Sequence, residues 1–153
     1  MKLLFCFYGL LLFLSVPLFA SEDYVPVNTQ EPGREPLSPA AAAAAMSLPD
    51  GFSVTVFAGE PDVRQPVAMK LDDRGRIWVA EAYSYKEWEM KGEDRILIFE
   101  DTDNDGRFDS RKIFYDKATH LSGMAAGFGG IWICNSPNLE FIPDRDGDDV
   151  PDG

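Results

Sequence analysis

The sequence predicts an all-β fold, and three observations lead to that prediction. After residue 50 the chain carries short runs of β-branched and aromatic residues separated by turn residues. No pattern for a long helix interrupts them. Two stretches also repeat each other at a spacing of roughly 40–50 residues, which is typical of β-propeller blades. We therefore expect residues 48–153 to form the N-terminal portion, about two blades, of a β-propeller.

Eight apolar runs of strand length follow one another between turn signals. The predicted strands are Phe52–Phe57, Pro66–Leu71, Arg76–Glu81, Arg95–Glu100, Ser110–Tyr115, Leu121–Ala126, Ile131–Cys134 and Leu139–Ile142. Turns are expected at 72–75, which is Asp-Asp-Arg-Gly, and at 127–130, which is Gly-Phe-Gly-Gly. A β-sandwich whose two halves resemble each other by chance is the alternative.

The repeat has two anchors. Ile77-Trp78 recurs as Ile131-Trp132, 54 residues later, and the acidic run that starts at Asp101 recurs at Asp144, 43 residues later. The 11-residue difference places an insertion in the first copy, within 82–94. Because a propeller has about four to eight blades, we expect this chain to be the N-terminal piece of a longer protein.

The N-terminus has the pattern of an export signal. Residues 1–20 combine Lys2 with an apolar stretch and a small residue, Ala20, before the expected cleavage point. If uncleaved, the stretch is barely long enough to span a bilayer. Residues 21–47 are predicted to be a linker with a short Ala-rich helix that starts at Ser38 and Pro39. The expected location is exported: periplasmic, cell-surface or secreted. Membrane attachment would need the uncleaved signal or a further module.

Composition restricts the partners. The net charge is −12 and the pI about 4.4, which argues against nucleic acid and is compatible with cation binding. After cleavage only Cys134 remains, so no internal disulfide can form. Its apolar neighbours predict a buried cysteine.

The first acidic loop has the spacing of a calcium site. Oxygen ligands stand at positions one, three, five and nine as Asp101, Asp103, Asp105 and Asp109, with Gly106 at position six. Such close carboxylates repel each other without a cation. The strand-like flanks favour a strand–loop–strand calcium turn over an EF-hand. A solvated acidic turn is the alternative.

The second acidic loop repeats this carboxylate spacing. Its predicted calcium ligands are Asp144, Asp146, Asp148 and Asp152. Asp149 replaces the glycine at position six, and Gly147 is the nearest source of flexibility. Two loops at matching places in a repeat are more specific than either alone.

A second set of candidates lies in the connections at the other end of the predicted sheet. Blade topology brings His120 close to the insertion and places both opposite the acidic loops. His120 is a candidate general base, although a lone histidine is more often an ordinary loop residue. Glu81, Tyr83 and Tyr85, with Trp88, are candidates for cofactor or carbohydrate contacts. Simple packing of these aromatic residues is the alternative.

Several runs resemble a known family. They are Glu60–Arg64, Pro66–Met69, Asp73–Tyr85, Asp94–Asp101, Gly127–Trp132 and Phe141–Asp149. Together they resemble the start of the membrane-bound dehydrogenase family of planctomycete–verrucomicrobial type, which is similar to glucose/sorbosone dehydrogenases. The resemblance implies a six-bladed propeller that uses calcium and pyrroloquinoline quinone, a sugar-like substrate, and haem only in a downstream module outside this chain.

The resemblance makes an exported oxidoreductase the leading function, with this fragment inactive alone. The alternative is a non-catalytic secreted propeller that binds glycan or protein at the cell surface.

Overall fold

The structure is a computed structural model, and it describes residues 31–86 and 93–153. The predicted signal peptide (1–20), the start of the linker and Trp88 lie outside the described residues. Within the described ranges, no helix has the length and apolarity needed to cross a membrane.

The linker contains the expected short helix. Helix α1 spans Pro39–Ala44, and Ser38 is its N-cap. The Ser38 hydroxyl accepts a hydrogen bond from Ala41 N at 3.2 Å, which satisfies one of the free amides of the first turn. The predicted helix start is therefore confirmed.

The strands form two antiparallel sheets, so the all-β prediction is confirmed. The first sheet has the order β1-β2-β3-β4 and the second the order β5-β6-β7. The first contains β1 (Pro66–Leu71), β2 (Ile77–Glu81), β3 (Asp94–Glu100) and β4 (Ser110–Ala118). The second contains β5 (Leu121–Ala126), β6 (Gly130–Asn135) and β7 (Asn138–Pro143). Within the insertion, Tyr83–Lys86 form a short 3-10 helix.

The two sheets share their strand register. The cross-strand rows through the two repeated tryptophans are Lys70–Trp78–Ile98 and Ala125–Trp132–Phe141. A register shift also occurs at the same place in both first hairpins, between Pro66 and Ala68 and between Leu121 and Gly123. Strand pairing therefore repeats together with the sequence.

The main core lies between the two sheets. Its largest buried side chains include Trp78, Ile96, Phe114, Leu121, Ile131 and Ile133. Trp78 packs edge-on against Phe114, with ring centroids 4.9 Å apart. A smaller cluster of Val79, Leu97 and Phe99 lies on the other face of the first sheet. Apolar burial on this scale is the main term that stabilises such small domains.

The predicted strand Phe52–Phe57 is wrong. This segment has no regular secondary structure and belongs to neither sheet. Its far end covers the smaller cluster: the Phe57 ring lies 6.3 Å from the ring of Phe99 and 6.3 Å from that of Phe108. Aromatic and β-branched composition favours an extended backbone, but a strand also needs a partner edge. Here the segment packs across a sheet face instead.

The predicted burial of Cys134 is also wrong, because its side chain is exposed. Strand β6 alternates: Ile131 and Ile133 are buried, whereas Trp132 and Cys134 point to the other face. A continuous apolar run indicates burial on both faces, but none of the residues that the structure describes covers the outer face of the second sheet. Trp132 and Leu139 there are 38% and 66% exposed.

Candidate functional site

The two acidic loops adopt the same hydrogen-bonded conformation. We call them the first Asp loop (Asp101–Asp109), which joins β3 to β4, and the second Asp loop (Asp144–Asp152), which follows β7. In the first, the bonds are Asp105 N to Asp101 Oδ1 (3.2 Å), Asp105 N to Asp103 Oδ1 (3.1 Å), Arg107 N to Asp105 Oδ1 (2.8 Å) and Thr102 N to Asp109 Oδ2 (2.6 Å). In the second they are Asp148 N to Asp144 Oδ1 (3.1 Å), Asp148 N to Asp146 Oδ1 (3.3 Å), Val150 N to Asp148 Oδ1 (2.9 Å) and Arg145 N to Asp152 Oδ2 (2.8 Å).

The carboxylates converge within each loop. Ligand oxygens of Asp101, Asp103 and Asp109 lie within 4.8 Å of one another, and so do those of Asp144, Asp146 and Asp148. Asp105 and Asp152 fall outside these two groups and take part through the hydrogen bonds above. Hydrogen bonds from Thr102 hold the pKa of Asp109 below its usual value, so this carboxylate is charged near neutral pH. The donor set consists of hard oxygens, which fits calcium.

Both loops turn through left-handed backbone at positions four and six. In the first Asp loop these residues are Asn104, with φ of 60°, and Gly106, with φ of 86°. In the second they are Gly147, with φ of 71°, and Asp149, with φ of 66°. Asp149 therefore adopts a conformation that L-residues rarely occupy. Glycine stands at position six in the first Asp loop and at position four in the second, yet both loops have left-handed backbone at both positions.

Asp149 ties the second Asp loop to the first sheet. Its carboxylate accepts hydrogen bonds from Arg76 Nη1 at 2.6 Å and from Lys112 Nζ at 2.7 Å. Burial acts to raise the pKa of Asp149, but the hydrogen bonds and charges of these two cations outweigh it and lower the pKa. Arg76 also bonds Asp72 Oδ2 through Nε at 2.8 Å. Sequence reasoning missed this bridge, although an Asp at a glycine position was a visible signal.

A cavity of about 790 Å³ lies at the end of the sheets away from the Asp loops. Its lining includes Ala82, Ser84, Tyr85, His120, Ser122 and Ser136. The expectation that His120 lies beside the insertion is confirmed, because His120 N donates to Ser84 Oγ at 2.9 Å. Tyr85 is 77% exposed at the rim. The Nε2 atom of His120 is shielded from solvent, so this nitrogen does not open into the cavity.

A buried carboxylate, Asp94, joins the two walls of this cavity. It accepts hydrogen bonds from Ser84 N at 2.7 Å, Ser84 Oγ at 2.6 Å and Leu121 N at 2.8 Å. Ser84 belongs to the insertion and Leu121 to β5, so Asp94 fixes one against the other. His120, between them, has φ of 46°. The sequence does not indicate this network, because a single Asp at the start of a strand is common and does not identify its hydrogen-bond partners.

Two of the predicted pocket residues, Glu81 and Tyr83, take part in one hydrogen-bonded network. Glu81 is fully buried and accepts hydrogen bonds from Arg64 N at 2.6 Å, Tyr83 Oη at 3.0 Å and Arg95 Nη2 at 2.7 Å. Arg95 also lies over the Tyr83 ring, 4.8 Å from its centroid. Burial and the charge of Glu81 raise the pKa of Tyr83 to about 12. Neither Glu81 nor Tyr83 lines the cavity; Tyr85 does.

The quinone implied by the family resemblance, pyrroloquinoline quinone, carries several carboxylates. Such a ligand needs arginine or lysine partners to offset the cost of burying its charges. Among the described residues that line the cavity there is no lysine or arginine. The described part of the lining therefore offers no cationic partner for the carboxylates of pyrroloquinoline quinone. It fits a neutral ligand better.

No curated protein and no solved structure matches this chain significantly. One protein-family profile matches, and it extends over residues 38–153, from the N-cap of α1 through both sheets and both Asp loops. That match covers most of the chain, so the protein belongs to the family described as Domain of unknown function (DUF7133).

Proposed function

We propose that residues 48–153 form two successive blades of a calcium-braced β-propeller, and that the His120 end contributes to the ligand site of an exported oxidoreductase. The observation that carries the calcium part is the matched set of hydrogen bonds in the two Asp loops. Each set fixes the backbone so that carboxylates meet at one point, which is costly unless a cation offsets their repulsion.

In this proposal the eight aspartates predicted from spacing hold the two ions. Asp101, Asp103 and Asp109 form the nucleus of the first site, and Asp144, Asp146 and Asp148 that of the second. A bound calcium ion supplies positive charge that holds the loop closed. The loops lie away from the cavity, so their role is to brace strand connections.

The shared register supports the propeller. Trp78 and Trp132 hold equivalent positions, and the face that bears Trp78 is covered by the second sheet. The equivalent face of the second sheet is apolar and open, with Trp132 and Phe141 in contact at 4.9 Å between centroids. Radial repetition of packed sheets would cover it with a further blade.

Calcium titration tests the bracing role. The melting temperature of the full chain should rise with calcium, because a ligand that binds only the folded state stabilises it. Asp103→Ala combined with Asp146→Ala should abolish the rise. Asp73→Ala, which changes an acidic residue outside both loops, is the matched control. If the wild-type melting temperature does not change with calcium, the two Asp loops are acidic turns that bind no calcium.

The redox role needs a separate test. The protein that carries this domain, supplied with calcium and pyrroloquinoline quinone, should reduce a dye when an aldose is added; this outcome requires that residues outside the described cavity lining pair with the quinone carboxylates. Sugar binding without dye reduction would support a second candidate, a non-catalytic propeller that binds glycan or protein at the cell surface. Among the described residues of the cavity lining there is no lysine, arginine or carboxylate, and Tyr85 is exposed at the rim; both features favour that candidate, because aromatic rings stack on neutral sugars. We derive no catalytic step through the quinone.

A further inference from the structure

The second Asp loop differs from the first in what holds position six. Gly106 adopts left-handed backbone without help, and a Cβ there would stand 3.3 Å from Thr55 Cγ2. Asp149 adopts the same backbone with a side chain present, which L-residues do at a conformational cost. The side chain at position six therefore carries a conformational cost that Gly106 does not, and contacts outside the loop offset it.

The first sheet supplies that stabilisation. Arg76 and Lys112 both bond the Asp149 carboxylate, whose side chain is only 8% exposed. At position four, the Arg74 guanidinium donates to Gly147 O at 3.3 and 3.4 Å. Both left-handed positions of the second Asp loop are thus held by residues of the neighbouring sheet and its first hairpin.

We propose that Asp149 is a positioning residue for cation binding by the second Asp loop, acting through Arg76 and Lys112 of the neighbouring sheet. The proposal rests on the calcium role proposed above. Asp149 directs its carboxylate away from the carboxylate group of the second Asp loop. The side chain of the preceding residue, Asp148, then stays turned toward that group. Cation affinity at the second loop then depends on docking of the two sheets, whereas affinity at the first does not depend on this contact.

A pair of substitutions separates conformation from charge. Asp149→Ala and Asp149→Gly remove the same negative charge and the same two ion pairs. Glycine adopts left-handed backbone at little cost, whereas alanine does not. Asp149→Ala should therefore weaken calcium binding at the second loop roughly tenfold, while Asp149→Gly should stay closer to wild type.

The two loops can be followed separately in one full-length chain. The amide signals of Gly106 and Gly147, observed by NMR during calcium titration, report the first and second loop respectively. The Gly106 titration should be unchanged in both Asp149 variants, which also establishes that each of them is folded. Equal affinities of the alanine and glycine variants at Gly147 would overturn the positioning role.

For a second substitution, Lys112→Gln, charge and positioning predict opposite changes in calcium affinity. Lys112→Gln removes a cation near the loop, so charge alone predicts tighter calcium binding. Loss of positioning predicts weaker binding, by several-fold. Arg145→Gln is the control, because Arg145 is 72% exposed and pairs only weakly with Asp152, at 3.6 Å; it should not weaken binding. Tighter binding in Lys112→Gln would overturn the inference alone, whereas a wild type in which neither glycine responds to calcium would overturn the calcium proposal as well.

Discussion

Trp78 and Trp132 occupy the same register position in the two sheets, yet one is buried and the other open. Trp78 is 5% exposed and donates from Nε1 to Asp72 Oδ2 at 3.0 Å, whereas Trp132 is 38% exposed. The pair is an internal comparison of one residue type in one strand position, with and without a covering sheet. It separates the contribution of sheet docking from that of the strand itself.

Trp78→Ala should destabilise the chain far more than Trp132→Ala. The buried indole leaves a cavity beside Phe114, and such truncations cost about 3–5 kcal/mol. The exposed indole loses only part of its contact with Phe141, so we expect about 1 kcal/mol or less. Urea unfolding followed by circular dichroism measures both. Similar losses for the two variants would contradict the assignment of the core to the inter-sheet space.

Asp94→Asn should loosen the cavity end. An amide cannot accept all three hydrogen bonds that the Asp94 carboxylate accepts from Ser84 and Leu121, and a buried donor left unpaired costs about 1–3 kcal/mol. Amide exchange at Leu121 should accelerate, while exchange in β7 stays near wild type apart from the global loss. Asp116→Asn, which changes an exposed aspartate of β4 outside this network, is the control. Unchanged exchange at Leu121 would show that Asp94 does not join the two walls.

Asp72 should make the fold sensitive to acid. Burial acts to raise its pKa, but hydrogen bonds from the Trp78 indole and the Arg76 backbone, together with the Arg76 guanidinium, lower it below 3.8. A depressed folded pKa gives stability that is present above the unfolded pKa and lost as pH falls through the folded value. Asp72→Asn should cost about 1–3 kcal/mol at neutral pH. Its unfolding free energy should also change less than wild type as the pH falls below about 4.

The comparison requires unfolding curves for both proteins at several acidic pH values. Asp73→Asn, the next residue along the same turn, is the control and should keep the acid response of the wild type. Parallel curves for wild type and Asp72→Asn would mean that Asp72 contributes nothing to the acid transition.

Tyr83 should affect stability at alkaline pH. Burial first, and then the charge of Glu81, raise its pKa to about 12 from 10.0. The unfolded chain releases this proton earlier than the folded one, so folding stability falls as pH rises from 10.0 toward the folded value. Tyr83→Phe should lose less stability over that range. Phenolate absorbance should show one fewer late-ionising tyrosine in the variant; an identical titration would place the late phenol elsewhere.

Cys134 should react with a thiol reagent in the folded state. Its side chain is exposed on the open face of the second sheet, so labelling needs no unfolding step. In a Cys6→Ser background, we expect one label per chain under native conditions and none in Cys134→Ser. Labelling that begins only in denaturant would contradict the exposed Cys134 and support the buried cysteine predicted from the apolar run.

Local sequence was sufficient for most strands, because alternation and turn residues act within a few positions. The seven strands from Pro66 to Pro143 lie where composition places them. Phe52–Phe57 has the same composition and is no strand, because pairing depends on an available sheet edge. The predicted burial of Cys134 was wrong for a related reason. Whether a sheet face is covered depends on which other elements pack on it.

The candidate site was predictable only in its repeated part. The carboxylate spacing of both Asp loops could be read from the sequence, since its geometry lies within nine residues. The contacts of Asp94 with Leu121 and of Asp149 with Lys112 join residues 27 and 37 positions apart. No local pattern encodes such contacts, and they depend on how the sheets dock.

The open face of the second sheet also has a consequence for solution behaviour. The chain carries a net charge of −12, so copies repel one another at low ionic strength. Salt shortens the range of that repulsion to about 3 Å at 1 M, while the attraction between exposed apolar surfaces such as that around Trp132 and Leu139 persists. The chain should therefore be more soluble in dilute buffer, where charge repulsion keeps copies apart, than in concentrated salt, where apolar attraction dominates.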